Sequence, residues 1–232
     1  MQVWFDVIKL KDVVKTFNFG RHNQFTALKG ISLDISLNRI TVIKGPSGSG
    51  KTTLCSVIGC MARPTSGRIT INGREITSLP ERFLSDIRRK NFGFIFQKFN
   101  LMNGITVLEN ILLPTYPVAD RNDRHRDKAL ALLEKLNIES KASQNVENLS
   151  SGEQQRAAIA RALINDPKII IADEPTAHLD TDTAMQFLDI AEQLHAENKT
   201  LLVTSHDPLV YDSDIVHRVV ELRNGLIAVE GE

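Results

Sequence analysis

The chain has 232 residues, of which 42% are hydrophobic, as is ordinary for a soluble globular protein with one large domain or a core and a subdomain. Its 28 Lys and Arg side chains balance 28 Asp and Glu, so no global positive field argues for a nucleic-acid partner. No uninterrupted apolar run approaches the roughly 20 residues that span a bilayer, and the N-terminal residues lack the pattern of a secretory signal. We therefore expect a cytoplasmic protein that reaches a membrane only through another chain.

Strands surround a glycine-rich loop in the first part of the chain. Loose alternation predicts strands at residues 7–14 and 27–35, and the apolar, β-branched residues 40–43 predict a buried strand that leads straight into the loop. A helix is expected after the loop, because apolar residues recur there with helical spacing. These residues are Leu54, Val57, Ile58 and Met61.

Asn72-Gly73 is the strongest short-range hairpin signal, since β-prone residues flank it and both turn residues tolerate a positive φ. Such a hairpin indicates a small antiparallel subdomain beside a parallel sheet. Basic residues 84–90 predict a helix, and the apolar residues 92–96 predict a strand that ends at Gln97.

Residues 100 to about 164 have a helical pattern. Pro114 and Pro117 should end its first helix. The charge run at 120–126 is expected to be a solvated loop or a first helical turn, and a last helix is expected at 152–163.

Strands and helices alternate again after this block. Apolar strands are expected at 168–172 and 201–204, an amphipathic helix at 183–195 and a closing hairpin at 219–229. Because such alternation implies a parallel α/β core, the helical block before it is interpreted as an insertion.

The glycine-rich loop fits the phosphate-binding pattern G-x-x-x-x-G-K-[ST]. Glycines let the backbone N–H donors approach phosphate oxygens, and the helix start that follows favours anions. Lys51 would reach the β- and γ-phosphates of ATP, and Thr52 would offer its hydroxyl to Mg²⁺. An accidental Gly/Ser loop is the alternative, but the flanking strand and helix favour phosphate binding. The loop comprises Gly45, Pro46, Ser47, Gly48, Ser49, Gly50, Lys51, Thr52 and Thr53.

The predicted fold is therefore an α/β P-loop nucleotidase of the RecA-like type. It has a parallel-sheet core, a small antiparallel β subdomain and an inserted α-helical subdomain. We expect a single domain at 1–232, with its core in residues 1–97 and 165–232 and its helical subdomain in residues 98–164.

Polar residues follow three further predicted strands, at the edge where ligands bind in open α/β sheets. Asp173 follows an aliphatic strand, which would place its carboxylate beside Mg²⁺, and Glu174 could accept a proton from an attacking water. Gln97 and His206 stand at equivalent positions, and His206 could hydrogen-bond a γ-phosphate. From the residues alone, a helix-capping acid pair and a structural histidine stay open as alternatives.

Phe17 follows the first strand, where its ring could stack on a purine or pack in the core. Cys55 and Cys60 are the two cysteines of the chain. Five residues apart on one helix, they would point in different directions, so we expect small buried side chains rather than a disulfide or a metal site.

Residues 149–156, with the sequence Leu-Ser-Ser-Gly-Glu-Gln-Gln-Arg, resemble the LSGGQ signature of the ATP-binding-cassette (ABC) ATPases. Residues 173–180 resemble the Walker B motif and D-loop of that family. The resemblance covers essentially the whole chain, with its motifs in order, and implies ATP hydrolysis by Lys51, Glu174 and His206.

The same resemblance implies further roles in holding ATP and Mg²⁺. Thr52, Gln97 and Asp173 would be Mg²⁺ ligands. Beyond the phosphate loop, the implied ATP contacts are Phe17, Gln97, Ser150, Ser151, Gly152, Glu153 and Asp180.

The chain departs from the family pattern at several of these positions. Ser151 stands where a signature glycine is usual, which adds a Cβ near a docked γ-phosphate, and Glu153 replaces the common glutamine. Phe17 replaces a tyrosine, which keeps the ring and loses the hydroxyl. The implied catalytic residues are intact, so we expect activity.

Four segments resemble the lipoprotein-releasing, macrolide-exporting and cell-division group of this family (LolD, MacB and FtsE): residues 92–97, 100–101, 106–111 and 113–114. The family resemblance implies that two copies pair head to tail around two ATP and that a transmembrane permease docks on the helical insertion, especially residues 97–110. We thus expect the ATP-hydrolysing subunit of a transporter or mechanotransmission complex, peripheral on the inner face of the membrane and without nucleic acid.

Two alternatives belong to other classes of protein. A soluble ABC ATPase that acts on nucleic acid or ribosomes usually carries coiled coils, zinc modules or two cassettes, and the sequence shows none of these. A P-loop kinase would have no use for a second anion-binding helix supplied by another copy.

Overall fold

The computed structural model describes residues 7–116, 124–177 and 179–231. Pro117 and residues 120–123 of the charge run lie outside these ranges. The strands are β1 (Val7–Phe17), β2 (Phe25–Ser36), β3 (Ile40–Lys44), β4 (Ser66–Ile71), β5 (Arg74–Glu75), β6 (Phe92–Ile95), β7 (Ile169–Asp173), β8 (Thr200–Ser205), β9 (Arg218–Arg223) and β10 (Leu226–Gly231). The α-helices are α1 (Lys51–Ile58), α2 (Glu81–Asn91), α3 (Val107–Leu112), α4 (Arg124–Lys135), α5 (Ser151–Leu163), α6 (Thr181–Ala196) and α7 (Pro208–Tyr211).

Four strands form an antiparallel sheet in the order β2-β1-β4-β5. The predicted hairpin joins β4 to β5, and its turn residues Asn72 and Gly73 have φ values of 49° and 76°. β1 pairs with β2 on one side and β4 on the other, and its register with β2 shifts between Leu10 and Val13. The small antiparallel subdomain is therefore confirmed.

Six strands form the second sheet, in the order β10-β9-β3-β8-β7-β6. All neighbours run parallel except β10, which closes as a hairpin on β9. Lys44 at the end of β3 is opposite Ser205 of β8, and Asp173 at the end of β7 is opposite Thr204. This register brings the segments that follow β3, β7 and β8 to one edge of the sheet, where α/β proteins bind ligands.

Two hydrophobic clusters cover the two faces of the parallel sheet. Ile40 and Val42 of β3 belong to one cluster and Ile43 to the other, as expected for a strand buried on both faces. The first cluster extends into the helical layer formed by α3, α4 and α5. The predicted core with a helical insertion is thereby confirmed, whereas the boundaries at residues 98 and 164 stay a prediction. No helix in the described ranges is long and apolar enough to cross a membrane.

Met61 departs from the predicted helical face, because α1 ends at Ile58 and Met61 is 40% exposed. Gly59 caps the helix, and Cys60 follows with a φ of 60°, so the chain turns away before Met61. Cys60 therefore lies outside α1, contrary to the expectation that both cysteines share one helix. Both thiols are nevertheless free and buried, as predicted.

Replacing Gly93 of β6 with alanine should destabilise the fold by about 1–3 kcal/mol. An added Cβ would lie 2.4 Å from the carbonyl oxygen of Ala162 in α5. Gly231→Ala is the matched control, because the nearest atom to its added Cβ is 4.0 Å away, and it should change the free energy of unfolding by less than about 0.5 kcal/mol. Urea denaturation measures both, and equal stability of the two variants would contradict the close contact between β6 and α5.

Candidate functional site

A cavity of about 360 Å³ opens at the carboxyl ends of the parallel strands. The glycine-rich loop forms one wall and is pressed against the backbone of both sheets. A Cβ on Gly45 would lie 2.2 Å from Leu222 O of β9, and one on Gly50 would lie 2.8 Å from Ala27 O of β2. The cavity is lined by Phe25, Ala27, Pro46, Ser47, Gly48, Ser49, Gly50, Lys51, Thr52, Thr53, Gln97, Glu174 and His206.

Lys51, the first residue of α1, directs its ammonium group back across the loop. Its Nζ donates hydrogen bonds to Gly45 O at 2.6 Å and Pro46 O at 3.2 Å, and the side chain is buried. Ser49, which also lines the cavity, has a buried Oγ without a hydrogen-bond partner among the described residues. A buried cation, a free hydroxyl and a helix N-terminus together fit the phosphate groups of a nucleotide.

Glu174 lies between this cation and His206. Its Oε1 is 3.0 Å from Lys51 Nζ, and its Oε2 is 2.8 Å from His206 Nδ1. Only 8% of Glu174 is exposed, and its backbone has a φ of 49°, which is uncommon for a residue other than glycine. The surrounding contacts thus hold a carboxylate in the cavity wall, where it can accept a proton.

Thr204 of β8 is a site residue that sequence reasoning did not single out. Its fully buried hydroxyl donates to Asp173 Oδ1 at 2.7 Å and accepts the Glu174 backbone N–H at 2.9 Å. The Glu174 N–H also reaches Thr204 O at 3.1 Å. Thr204 therefore fixes the position of both acids, and the signal for it in the sequence is a hydroxyl residue directly after the aliphatic residues 201–203 of β8.

Several predicted residues do not line the cavity. Phe17 is 41% exposed, and Lys15 Nζ lies 5.1 Å from the centroid of its ring. Phe25, its partner across β1 and β2, lines the cavity instead and was missed. The other predicted residues that are not part of the lining are Gly45, Ser150, Ser151, Gly152, Glu153, Asp173 and Asp180.

The residues of the LSGGQ-like segment gather instead at the start of α5. Ser150 and Glu153 form a reciprocal capping box, which satisfies N–H groups that a helix start leaves free. Gln155 Nε2 donates to Pro175 O at 2.8 Å and links α5 to the segment after β7. Asp180 caps α6 in the same region, and hydrogen bonds from Thr183 lower the pKa of its carboxyl group.

The described residues contain no cluster of three or more His, Cys, Asp or Glu side chains that could enclose a metal ion. Mg²⁺ does not need such a cluster, since it usually takes one or two protein carboxylates together with substrate phosphates and water. Thr52 and Gln97 line the cavity, and Asp173 lies behind it at the end of β7. These oxygen donors fit Mg²⁺ bound with a nucleotide.

Comparison with known proteins gives consistent matches. The sequence profile of the ABC transporter family matches residues 28–177. The macrolide export ATP-binding/permease protein MacB of Hyphomonas neptunium is 40% identical over 221 residues, which are 95% of this chain and 34% of MacB. An uncharacterised ABC transporter ATP-binding protein of Thermotoga maritima is 40% identical over 222 residues, which are 95% of this chain and 93% of the relative.

The structure is also similar to MJ0796, an ABC transporter cassette. Its dimeric structure bound to ADP and Pi has a TM-score of 0.87 and 38% identity to this chain, over 97% of this chain and 98% of MJ0796. A second dimeric structure of MJ0796 has a TM-score of 0.88. The chain thus spans nearly the whole of this cassette but about a third of the MacB relatives.

Replacing Thr204 with valine should destabilise the fold by about 1–3 kcal/mol, because the isosteric change leaves Asp173 Oδ1 without this hydrogen bond and the Glu174 N–H with Thr204 O alone. ATP hydrolysis should fall roughly tenfold, equivalent to about 1.4 kcal/mol of barrier, since neither acid keeps its position. Thr204→Ser retains the hydroxyl and should keep most of the activity. Equal rates for the valine and serine variants would contradict the positioning role.

Proposed function

The chain belongs to the ABC transporter family and is an ABC-type ATPase, and on this premise we propose that two copies pair head to tail around two ATP and drive a transmembrane permease. The observation that carries the proposal is the separation of two helix starts suited to phosphate. The start of α1 faces the catalytic groups of the cavity, whereas the start of α5, at Ser150, is not part of its lining. A C₂ pair would bring α5 of one copy to the cavity of the other, and the dimers of MJ0796 support this arrangement.

The contacts of the cavity support specific catalytic roles. Lys51 binds the β- and γ-phosphates, because its buried ammonium group faces the loop that surrounds them. Glu174 takes the proton from the attacking water, and its contact with His206 holds Oε2 in place. His206, whose side chain is 64% exposed, can also hydrogen-bond the terminal phosphate.

Mg²⁺ would be held by Thr52, Gln97 and Asp173. When bound, it would neutralise charge that develops on the phosphate oxygens. Thr204 contributes indirectly, because its hydrogen bond to Asp173 Oδ1 fixes the orientation of that carboxylate. Removal of Mg²⁺ by a chelator would therefore stop hydrolysis without unfolding the chain.

The remaining predicted ATP contacts come from both copies of the pair. Phe17 stacks on the adenine, next to Phe25 in the neighbouring strand. From the partner copy, Ser150, Ser151 and Gly152 present the start of α5 to the γ-phosphate. Glu153 and Asp180 of the partner complete this half of the site. The substitution at Ser151 then changes the approach of the phosphate to the helix start.

A groove of about 550 Å³ offers a docking site for the permease. It lies between α2, β6 and the helical layer, and Phe96 in its wall directly precedes Gln97 of the ATP cavity. The rings of Phe94 and Phe96 stack there with centroids 5.9 Å apart. The charged residues of its lining are Arg82, Asp86, Arg88, Arg89 and Arg161. An apolar permease segment with acidic residues fits these walls, and its contact with β6 would reach Gln97.

The permease would hold the ATPase at the inner face of the membrane. The MacB relatives are named as ATP-binding/permease proteins for macrolide export, and these names support a macrolide-exporting complex. We propose lipoprotein release and peptide export as the other functions open to a complex of this group. The rival function, a soluble ABC ATPase on nucleic acid or ribosomes, is disfavoured by the zero net charge of the chain. The two functions can be distinguished by whether the chain captures a membrane protein, or instead nucleic acid or ribosomal proteins, from its own cells.

The head-to-tail arrangement can be tested with Glu174→Gln. Hydrolysis should fall by about 10²–10⁴-fold, because the general base is lost, while ATP still binds through Lys51 and the loop. Size-exclusion chromatography with ATP and Mg²⁺ should then show a stable dimer, whereas the unmodified chain stays mostly monomeric. Adding Ser150→Arg should abolish the dimer, because this contact comes from the partner.

Glu192→Gln is the control for this experiment, since it removes an exposed carboxylate of α6 that is not part of the cavity lining. It should hydrolyse ATP and elute as the unmodified chain does. A wild-type rate in Glu174→Gln would exclude Glu174 as the base, and a dimer that survives Ser150→Arg would exclude the head-to-tail site.

The docking groove can be tested by reversing its charge with Arg82→Glu and Arg89→Glu. This double variant should lose a multispanning membrane protein that the unmodified chain captures from detergent-solubilised membranes of its own cells. It should keep ATP-driven dimerisation in the Glu174→Gln background. Arg68→Glu with Arg74→Glu makes the same charge change on β4 and β5 and should retain the membrane protein. Capture of ribosomal proteins or nucleic acid instead would favour the rival function.

A further inference from the structure

The Glu153 carboxylate contacts Ser150 at the start of α5 and Lys141 from an earlier segment. Its Oε2 accepts the Ser150 backbone N–H at 2.8 Å and the Ser150 hydroxyl at 2.9 Å. Its Oε1 lies 3.1 Å from Lys141 Nζ. These hydrogen bonds lower the pKa of the Glu153 carboxyl group, those from Ser150 most of all. The side chain is therefore an ionised carboxylate at neutral pH.

The hydrogen atoms available at this helix start can be counted. A serine hydroxyl has one proton to donate, and an ionised carboxylate can only accept. The Ser150 hydroxyl thus gives its proton to Glu153, and its oxygen in turn accepts the Glu153 backbone N–H at 3.4 Å. A phosphate oxygen is also an acceptor, so it must compete with Glu153 for the Ser150 proton.

The negative charge of Glu153 also opposes the binding of a phosphate at the start of α5. A carboxylate in the first helical turn reduces the positive potential that attracts a phosphate to the helix start. Lys141, in the short helical turn Glu139–Lys141, partly offsets this charge. Lys141 therefore matters for phosphate docking only as long as residue 153 is anionic.

We propose that Glu153 is a positioning residue that holds the Ser150 proton away from the incoming γ-phosphate and so weakens the ATP-bridged dimer, while Lys141 limits this effect. The inference rests on the proposed head-to-tail function. As a consequence, the two copies separate readily after each turnover, because the γ-phosphate must compete with the Glu153 carboxylate for the Ser150 proton.

Glu153→Gln tests the proposal without removing the helix cap, since glutamine also completes a capping box. The neutral amide holds the Ser150 hydroxyl about half as strongly as the carboxylate does. In the Glu174→Gln background, the dimer dissociation constant with ATP and Mg²⁺ should fall about tenfold, corresponding to roughly 1.4 kcal/mol. The melting temperature without nucleotide should not rise, because the neutral amide caps the helix less strongly than the carboxylate, so a tighter dimer would not come from a more stable fold.

Glu147→Gln is the matched control. It removes the same charge three residues before Ser150, but its carboxylate contacts the Gly104 N–H at 3.3 Å rather than Ser150. Its dimer dissociation constant should stay within about twofold of the reference, because exposed charges are largely screened by salt. Equal tightening by Glu147→Gln and Glu153→Gln would mean that net charge, and not the Ser150 proton, controls docking.

Lys141→Met completes the test. It should weaken the dimer when residue 153 is glutamate and have little effect when residue 153 is glutamine, a non-additivity that a double-mutant cycle measures. An unchanged or weaker dimer in Glu153→Gln, or equal effects of Lys141→Met in both backgrounds, would overturn the inference. If the Glu174→Gln reference itself fails to dimerise with ATP, the head-to-tail function fails and this inference falls with it.

Discussion

Parallel pairing of β3, β8 and β7 is the constraint on which the catalytic site depends. The register sets Lys44 beside Ser205 and Thr204 beside Asp173, so the three strands end at one level. The phosphate loop follows Lys44 directly, Glu174 follows Asp173 and His206 follows Ser205. Residues separated by more than a hundred positions in the chain therefore meet in one cavity without a long loop to carry them.

Within this cavity, the ion pair between Lys51 and Glu174 has a chemical rather than a stabilising role. Removal of each ion from water costs several kcal/mol, which the attraction between two buried charges recovers only in part. The carbonyl groups of Gly45 and Pro46 and the ring of His206 supply the further hydrogen bonds that such buried charges need. The result is a cation and a carboxylate held 3.0 Å apart in the cavity where we propose that phosphate and water meet.

The sequence was sufficient wherever one segment determines its own structure. The Asn72-Gly73 turn, the aliphatic strands and the loop before Lys51 each have a local cause in glycine, periodicity or branching. A rule about strand ends also predicted that Gln97, Asp173, Glu174 and His206 would meet the loop. All of them except Asp173 line the cavity.

Residues that act across strands could not be found in this way. Thr204 holds Asp173 and Glu174 because β8 lies next to β7, and Phe25 reaches the cavity because β2 pairs with β1. Local periodicity predicts a strand but does not indicate which other strand lies next to it. The prediction that Met61 belongs to the buried face of α1 was wrong, because the helical spacing of apolar residues continues past the point where Gly59 and Cys60 end the helix. The docking groove likewise depends on how α2 packs beside β6 and not on any single motif.

The most direct test of the central claim is complementation between two defective copies. In the Glu174→Gln background, Lys51→Ala lacks the phosphate cation and Ser150→Arg lacks the helix start that faces it. A mixture restores one intact site, formed by Lys51 of one copy and Ser150 of the other. Fluorescence energy transfer between labelled copies should therefore rise with ATP and Mg²⁺ in the mixture and stay low for either variant alone. No transfer in the mixture, or equal transfer for one variant by itself, would contradict a site shared between two copies.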